Sequence, residues 1–273
     1  MQTSCRVVIF FTVCVLSGSF QVLRAQQPLE TETARPLAAG SIELQTTFEY
    51  QTSSQGTELA VPFGFEYGIT DRLSLLAEPV FYTSIRPKLG PRATGIGDLE
   101  ITLSYLMAHE RRRLPALAIA GEVKAPTARN NLIGTRKTDY AAYLIASKRV
   151  GKFDTHFNIA YTFVGKPSGA SIDNIFNFAV AGEYFASQKW VLLGEVLANT
   201  ASIAGGGELI TPGNPGGISP EAPAGEVVGM LGFRYRIRDH ISFTFGVNYD
   251  NSGTVLLRPG LTFNFDRNGR KRH

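Results

Sequence analysis

The chain has 273 residues, of which 44% are apolar and 11% aromatic, with a formal charge of +4. Its cysteines, Cys5 and Cys14, both fall within the first 25 residues, so the remaining chain from Gln26 onward holds no disulfide and no thiol nucleophile. Much of the basic excess sits in Arg267–His273. No basic helix or interleaved aromatic patch accompanies it, so nucleic acid is not an expected partner.

Met1–Ala25 reads as a bacterial export signal. Arg6 supplies the positive start, Val7–Leu16 the apolar run, and Ala25 a small residue at the cleavage point before Gln26. The run is too short for a spanning helix, which takes roughly 20 apolar residues. Phe11-Thr12-Val13 is too bulky before Cys14 for a lipid-attachment signal. Removing Arg6 and Arg24 with this segment leaves 25 basic against 23 acidic residues, a charge of +2. Residues 26–40 then read as an N-terminal periplasmic segment.

From residue 41 the pattern has period two, which a helix of period 3.6 cannot produce. It gives twelve candidate strands, at 41–52, 57–69, 72–84, 95–107, 114–126, 137–149, 152–165, 173–186, 189–200, 225–238, 239–250 and 254–265. The second sets Leu59, Val61, Phe63, Phe65, Tyr67 and Ile69 against Glu58, Ala60, Pro62, Gly64, Glu66 and Gly68. The tenth sets Val227, Gly229, Leu231, Phe233, Tyr235 and Ile237 against Glu226, Val228, Met230, Gly232, Arg234 and Arg236. The eleventh sets Ile241, Phe243, Phe245, Val247 and Tyr249 against Ser242, Thr244, Gly246 and Asn248. The candidates at 72–84, 137–149 and 189–200 alternate poorly. Short links after the second, fourth, sixth, eighth and tenth strands alternate with longer ones after the third, fifth, seventh and ninth, and the longest is 201–224.

An exported chain with apolar strand faces and no apolar helix points to a closed barrel, which satisfies its backbone in lipid without an edge. The predicted fold is all-β: a single transmembrane antiparallel up-and-down β-barrel of about 12 strands over 41–265, in the bacterial outer membrane, with short periplasmic turns and both ends in the periplasm. A lipocalin-like barrel would reverse the faces. Against it stand the Gly-, Ala-, Asn- and Ser-rich polar face and the aromatics near strand ends, among them Tyr50, Phe81, Tyr105, Phe163, Trp190 and Tyr249. Outer-membrane lipid and the barrel-assembly machinery are the partners this fold implies. The 266–273 segment reads as a basic, solvated C-terminal tail beyond the terminal aromatic Phe265.

The middle of the chain resembles the MetA-pathway phenol degradation family of outer-membrane proteins. The residues that carry it are Thr94-Gly95-Ile96-Gly97-Asp98-Leu99, Lys124-Ala125-Pro126-Thr127, Gly134-Thr135, Asp139-Tyr140, Ser147-Lys148-Arg149 and Asn158–Gly165. The likeness runs from about 94 to 200. It implies an outer-membrane barrel that handles small hydrophobic or aromatic molecules, and it carries over no catalytic residue.

Chemistry-bearing motifs are few. No histidine has zinc-site spacing and no glycine-rich phosphate cradle precedes a helix, so no metal or other cofactor is expected. His156 and His240 fall on polar faces near the periplasmic end, and His156 with Ser242 or Asn158 is the only catalytic pairing that comes to view. The inward charges are more informative. By strand parity Glu78, Glu100 and Glu195 lie near mid-depth, Glu122 and Arg258 toward the outside, and Glu183 and Arg234 toward the periplasm. Glu195 is the expected partner of Arg234, and Arg258 must reach across the lumen for an acid. Such charges either brace a narrow barrel or set the selectivity of a pore. The expected role is a passive channel or transporter for small molecules. The alternatives are a closed, salt-bridged structural or surface-binding barrel and an outer-membrane lipid-modifying enzyme.

Overall fold

A computed structural model describes residues 27–166, 172–200 and 225–266. The export signal, the 201–224 loop and the tail beyond Asp266 lie outside the described residues. The strands are β1 (Ile42–Thr47, continued by Glu49–Thr52), β2 (Gly56–Thr70), β3 (Leu73–Pro87), β4 (Ala93–Gly95, continued by Leu99–Ala108), β5 (Ala116–Ala125), β6 (Asp139–Val150), β7 (Phe153–Phe163), β8 (Ile175–Phe185), β9 (Trp190–Asn199), β10 (Glu226–Arg238), β11 (Ile241–Asp250) and β12 (Val255–Phe265). Each pairs antiparallel with the next in sequence. β12 then pairs back onto β1, with Ile42 opposite Phe265 and Thr47 opposite Gly260. The sheet is therefore a closed 12-strand barrel, as the periodicity requires.

Two strands are interrupted without losing register. At Phe48 the facing residue is Pro259, which has no N–H to give. Only the bond from the Phe48 N–H to the Pro259 carbonyl remains, at 2.9 Å, and pairing resumes at Tyr50 opposite Leu257. In β4 the ladder lapses over Ile96–Asp98, where the Gly97 N–H reaches the Val80 carbonyl at 2.8 Å. The facing strand β3 shifts register against β2 at Val61/Pro62, so Phe81 is an extra residue. That bulge explains why 72–84 alternates poorly: Thr83 and Ser84 are adjacent and both buried.

The two faces are inverted relative to a soluble protein. Leu231 is 72% exposed and Val196, Leu144 and Leu103 nearly half exposed, while Glu183, Glu195, Asn158 and Arg234 are buried. Outward aromatics gather near strand ends, where Trp190 packs against Tyr235 with ring centroids 4.7 Å apart and Phe153 against Tyr184 at 4.8 Å. Such rings suit the two membrane interfaces. Links at the inner rim, such as 71–72, 151–152 and 239–240, are tight, whereas 126–138 and 164–174 at the outer rim are longer.

Residues 26–40 read from sequence as a periplasmic segment. In the structure Gln27–Leu37 lies inside the barrel instead. After Leu37 the chain turns at the inner rim, where Ser41 N–H meets the Ala38 carbonyl at 2.9 Å and Gly40 N–H meets the Gly68 carbonyl at 2.7 Å. Gly40 has φ of 76°, a conformation that glycine adopts at little cost.

The face assignment predicts that Leu231→Arg, outward near the middle of β10, loses roughly 2–4 kcal/mol of folding free energy in lipid. Thr162→Lys, which faces the acidic interior, should cost far less. The fraction of barrel with heat-modifiable gel mobility after refolding into vesicles reads the difference. Equal losses would reject the faces.

Candidate functional site

Inside the barrel the N-terminal segment is held mainly through its backbone. Glu195 of β9 accepts the N–H groups of Glu30 and Thr31 and the Thr31 hydroxyl, with Glu30 N–H at 3.1 Å. Asn158 of β7 accepts the Glu32 N–H at 2.7 Å and donates to the Glu32 carbonyl at 3.0 Å. Ser147 of β6 accepts the Ala34 N–H at 2.9 Å. Arg234 of β10 donates to the carbonyls of Gln27 and Pro28. Two small apolar docks add to these. Leu29 packs on Phe185, Val191, Leu193, Val228 and Met230, and Ala34 packs on Leu106, Ala116, Ala118, Ala120 and Ile145.

Ion pairs close both ends of this plug. Toward the inner rim Arg35 donates both guanidinium arms to Asp154 at 3.0 Å and one of them to Glu110 at 2.7 Å. Lys148 joins Glu110 at 3.0 Å. Burial alone would raise the Glu110 carboxyl, but hydrogen bonds from Arg35, Lys148 and the Arg149 N–H hold it below the usual carboxylate range. Deeper in, Arg258 joins Glu30 of the plug and Glu49 of β1, the latter at 2.7 Å.

All seven charged residues expected inside face the interior, with two changes of partner. Arg234 pairs with Glu183 at 3.2 Å, not with Glu195. Glu183 lies on β8, one strand beyond Glu195, and Glu195 is already occupied by plug N–H groups. Arg258 finds Glu49 on the adjacent β1 and so does not reach across the lumen. Glu78 lies opposite Glu100 in the β3–β4 ladder. Glu122 accepts from Tyr143 at 2.9 Å and from Thr102 at 3.3 Å. Sequence reasoning misses Glu30, Glu32, Glu49, Lys124 and Asp139, although parity alone turns Glu49, Lys124 and Asp139 inward.

The residues that carry the family likeness form connected contacts in the outer half. Asp98 accepts the Ala128 N–H at 2.9 Å, and Thr127 donates to the Gly97 carbonyl at 2.9 Å. Gly134 lies so close that a β-carbon there would sit 2.8 Å from an Asp98 carboxylate oxygen. Ala128 and Ile133 bury against Ala93, with Ile85 beside them. This folds the 126–134 stretch against β3 and β4. Lys124 pairs with Asp139, which accepts the Gly165 N–H at 2.7 Å.

Between the plug and the wall lies a cavity of about 60 Å³. Glu30, Glu32, Glu100, Glu122, Lys124, Asp139 and Tyr143 line one part of it, and Asn158, Asn177, Ala160, Ala179 and Leu197 the rest. The lining is thus acidic on the β4–β6 side and mostly small, amide-bearing or apolar on the β7–β9 side.

The members of the one histidine pairing that comes to view in the sequence are engaged elsewhere. His240 is exposed in the β10–β11 turn. His156 Nδ1 meets Ser147 Oγ at 2.9 Å, and Asn158 is committed to the plug. Asp154 stands 3.9 Å from His156 Nε2, too far for a hydrogen bond. Ser147 is 1% exposed beneath Ala34, out of reach of a lipid substrate. Asp154, His156 and Glu183 place possible metal-ligand atoms within 4.8 Å of one another. Arg35 and Arg234 already neutralise the two carboxylates, so the set reads as part of the plug's anchorage.

Residues 77–208 match the family described as "Putative MetA-pathway of phenol degradation", over the region that carries the sequence likeness. No curated protein matches the chain. Among solved structures the chain is similar to an outer membrane channel from Pseudomonas putida F1, at 14% identity and a TM-score of 0.60, covering 85% of this chain and 98% of that one. It is also similar to the NanC porin, at 12% identity and 0.55 over 81% and 98%, and to the KdgM porin, at 8% and 0.51 over 81% and 99%. At these identities the likeness shows a shared barrel fold.

Two outcomes test the network. Arg234→Gln and Glu183→Gln should each destabilise by roughly 3 kcal/mol, as breaking a buried pair does, and the double variant should lose less than the sum. Arg234 with Glu195, which share only the plug, should couple less than Arg234 with Glu183, and equal or stronger coupling there would restore the pairing expected from strand adjacency. The Arg35 clamp should also be acid-sensitive. A carboxylate lowered in the folded state adds stability above its unfolded value of about 4.3, and that stability is lost as pH falls through the folded value. Glu110→Gln should therefore flatten the acid limb of a thermal-stability profile, and an unchanged limb would remove Glu110 from the clamp.

Proposed function

We propose that this chain is a passive, non-enzymatic outer-membrane channel for small molecules, and that its lumen favours cations and neutral, hydroxyl-bearing solutes over anions. The observation that carries the reading is a closed barrel with an apolar outside and an interior in which carboxyls outnumber cations. Among the described residues Glu30, Glu32, Glu49, Glu58, Glu66, Glu78, Glu100, Glu122, Asp139, Glu183 and Glu195 face Arg35, Lys124, Arg234 and Arg258. The chain as a whole is basic, so the excess of carboxyls is a local property of the interior. Rings of acidic side chains are a common device for cation passage.

The inner rim, with its tight turns and both ends of the barrel, is the periplasmic side in this reading. The cavity above the plug has carboxyls on one side and Ala160, Ala179 and Leu197 on the other. That mixed lining suits a small molecule with an apolar face and a hydroxyl or ammonium edge, in keeping with the aromatic compounds that the family likeness implies. A buried Ser147 and an unaligned Asp154 speak against the lipid-modifying alternative.

Planar-bilayer recordings in a steep KCl gradient test the reading. The reversal potential should have the sign of cation preference, and Glu100→Gln with Glu122→Gln should move it toward zero. Anion preference would reject the acidic lumen as the filter. A folded barrel that never conducts would favour the closed structural barrel, and release of fatty acid from the bilayer would favour the enzyme.

A further inference from the structure

We propose that Gln27–Leu37 is an autoinhibitory plug that docks reversibly and opens the barrel by swinging out through the inner rim. The inference rests on the channel reading above. The barrel owes the plug no part of its own closure. Its ladder runs from Ile42 round to Phe265, and no plug residue takes part in the strand pairings. Withdrawal therefore breaks no backbone bond of the wall.

The contacts that hold the plug are of a kind that water can replace. They are N–H groups given to Glu195, Asn158 and Ser147, carbonyls given to Arg234, and the ion pairs of Arg35 and Glu30. These bonds are largely buried while the plug is docked, but on withdrawal the plug and the filling lumen both trade them for bonds to water of similar enthalpy. The apolar clusters take one plug side chain each, Leu29 and Ala34, with Pro28 and Leu37 also buried.

The geometry also sets the direction of release. The attached end is the Gly40 turn, where Ala39 N–H meets Asp71 at the rim at 3.1 Å. Arg35 makes the ion pairs of the plug nearest that turn. A swing outward must part its bonds to Asp154 and Glu110, so Arg35 is the latch. A segment fixed at one end by a turn and along its length by exchangeable bonds is a two-state element of the hinge type.

A cysteine pair tests this in the full barrel. Ala34→Cys with Ser147→Cys joins plug and wall at a contact already present. Cys5 and Cys14, the chain's own cysteines, both lie in the predicted signal. In planar bilayers the oxidised pair should abolish open events and reductant should restore them. Separately, Arg35→Ala should raise the open fraction several-fold, with the barrel's heat-modifiable mobility kept. Oxidised and reduced forms that conduct alike would overturn the gate, since solutes would then pass beside a fixed plug. A disulfide that does not form in the folded barrel would overturn the docking. An open fraction unchanged in Arg35→Ala would overturn the latch. If a folded variant lacking residues 28–37 conducts nothing either, the channel reading itself falls, which is a different result from a failed gate.

Discussion

A carboxylate taken out of bulk water must find a cation, an N–H or a trapped water, or it destabilises the fold. The inside of this barrel holds many carboxyls and few cations, and that imbalance organises the rest. Arg234 and Arg258 each serve a wall carboxylate and the plug at once. Glu195 has no cation among its partners and is satisfied by main-chain N–H groups of Glu30 and Thr31. The plug is thus more than an obstruction. It brings donors to a wall that lacks them, and it brings Arg35 to Asp154 and Glu110. Its own Glu30 and Glu32 add acid to the cavity side. The same constraint explains why the segment binds by its backbone, since backbone N–H groups are donors that carry no side-chain specificity and need only a bent, extended path.

Strand positions are legible in the sequence because each inward–outward alternation is local. Leu231 with Met230, or Phe243 with Ser242, needs no knowledge of the partner strand. The plug is not legible in this way. Gln27–Leu37 has neither period, and its contacts join residues more than a hundred positions apart, as between Thr31 and Glu195. Yet a trace of it is present. The candidate at 189–200 alternates poorly because Val191 and Leu193 are apolar on the inward face, where they receive Leu29. The candidate at 137–149 does so because Ile145 is inward against Ala34. Apolar residues on a lumen face are a signal that something docks there. The wrong partner for Arg234 has a different cause. Strand order offers only the adjacent strand as a neighbour, but a long guanidinium spans β9 to reach Glu183.

The family-like residues make physical sense once the ladder lapse in β4 is seen. Ile96-Gly97-Asp98 leaves the regular pairing, and Asp98 turns to the 126–134 stretch instead of pointing to a neighbouring strand. Thr127 and Ala128 answer it from the other side, and Gly134 is small because the Asp98 carboxylate occupies the space of its missing side chain. The segments at 94–99, 124–127 and 134–139 are scattered in sequence but adjacent in the fold. A loop held at both ends by hydrogen bonds, and by Ile133 buried in its middle, is a fixed part of the outer opening.

These two devices divide the lumen. At mid-depth the plug's bonds go to Asn158 of β7, Glu195 of β9 and Arg258 of β12, so it lies toward that wall. The opposite wall, β3 to β5, carries Glu78, Glu100 and Glu122, and the cavity opens between it and Glu30 and Glu32 of the plug. In the channel reading, a solute entering from the outer rim would pass the 126–134 stretch that Asp98 holds, and then meet carboxyls from wall and plug together. Because Glu30 and Glu32 belong to the plug, its withdrawal would take two carboxyls and the single guanidinium of Arg35 out of the lumen and leave Arg258 with Glu49. The open lumen would then be less acidic than the closed one. In the proposed gate, selectivity and opening would for that reason be coupled, through side chains that belong to the plug itself.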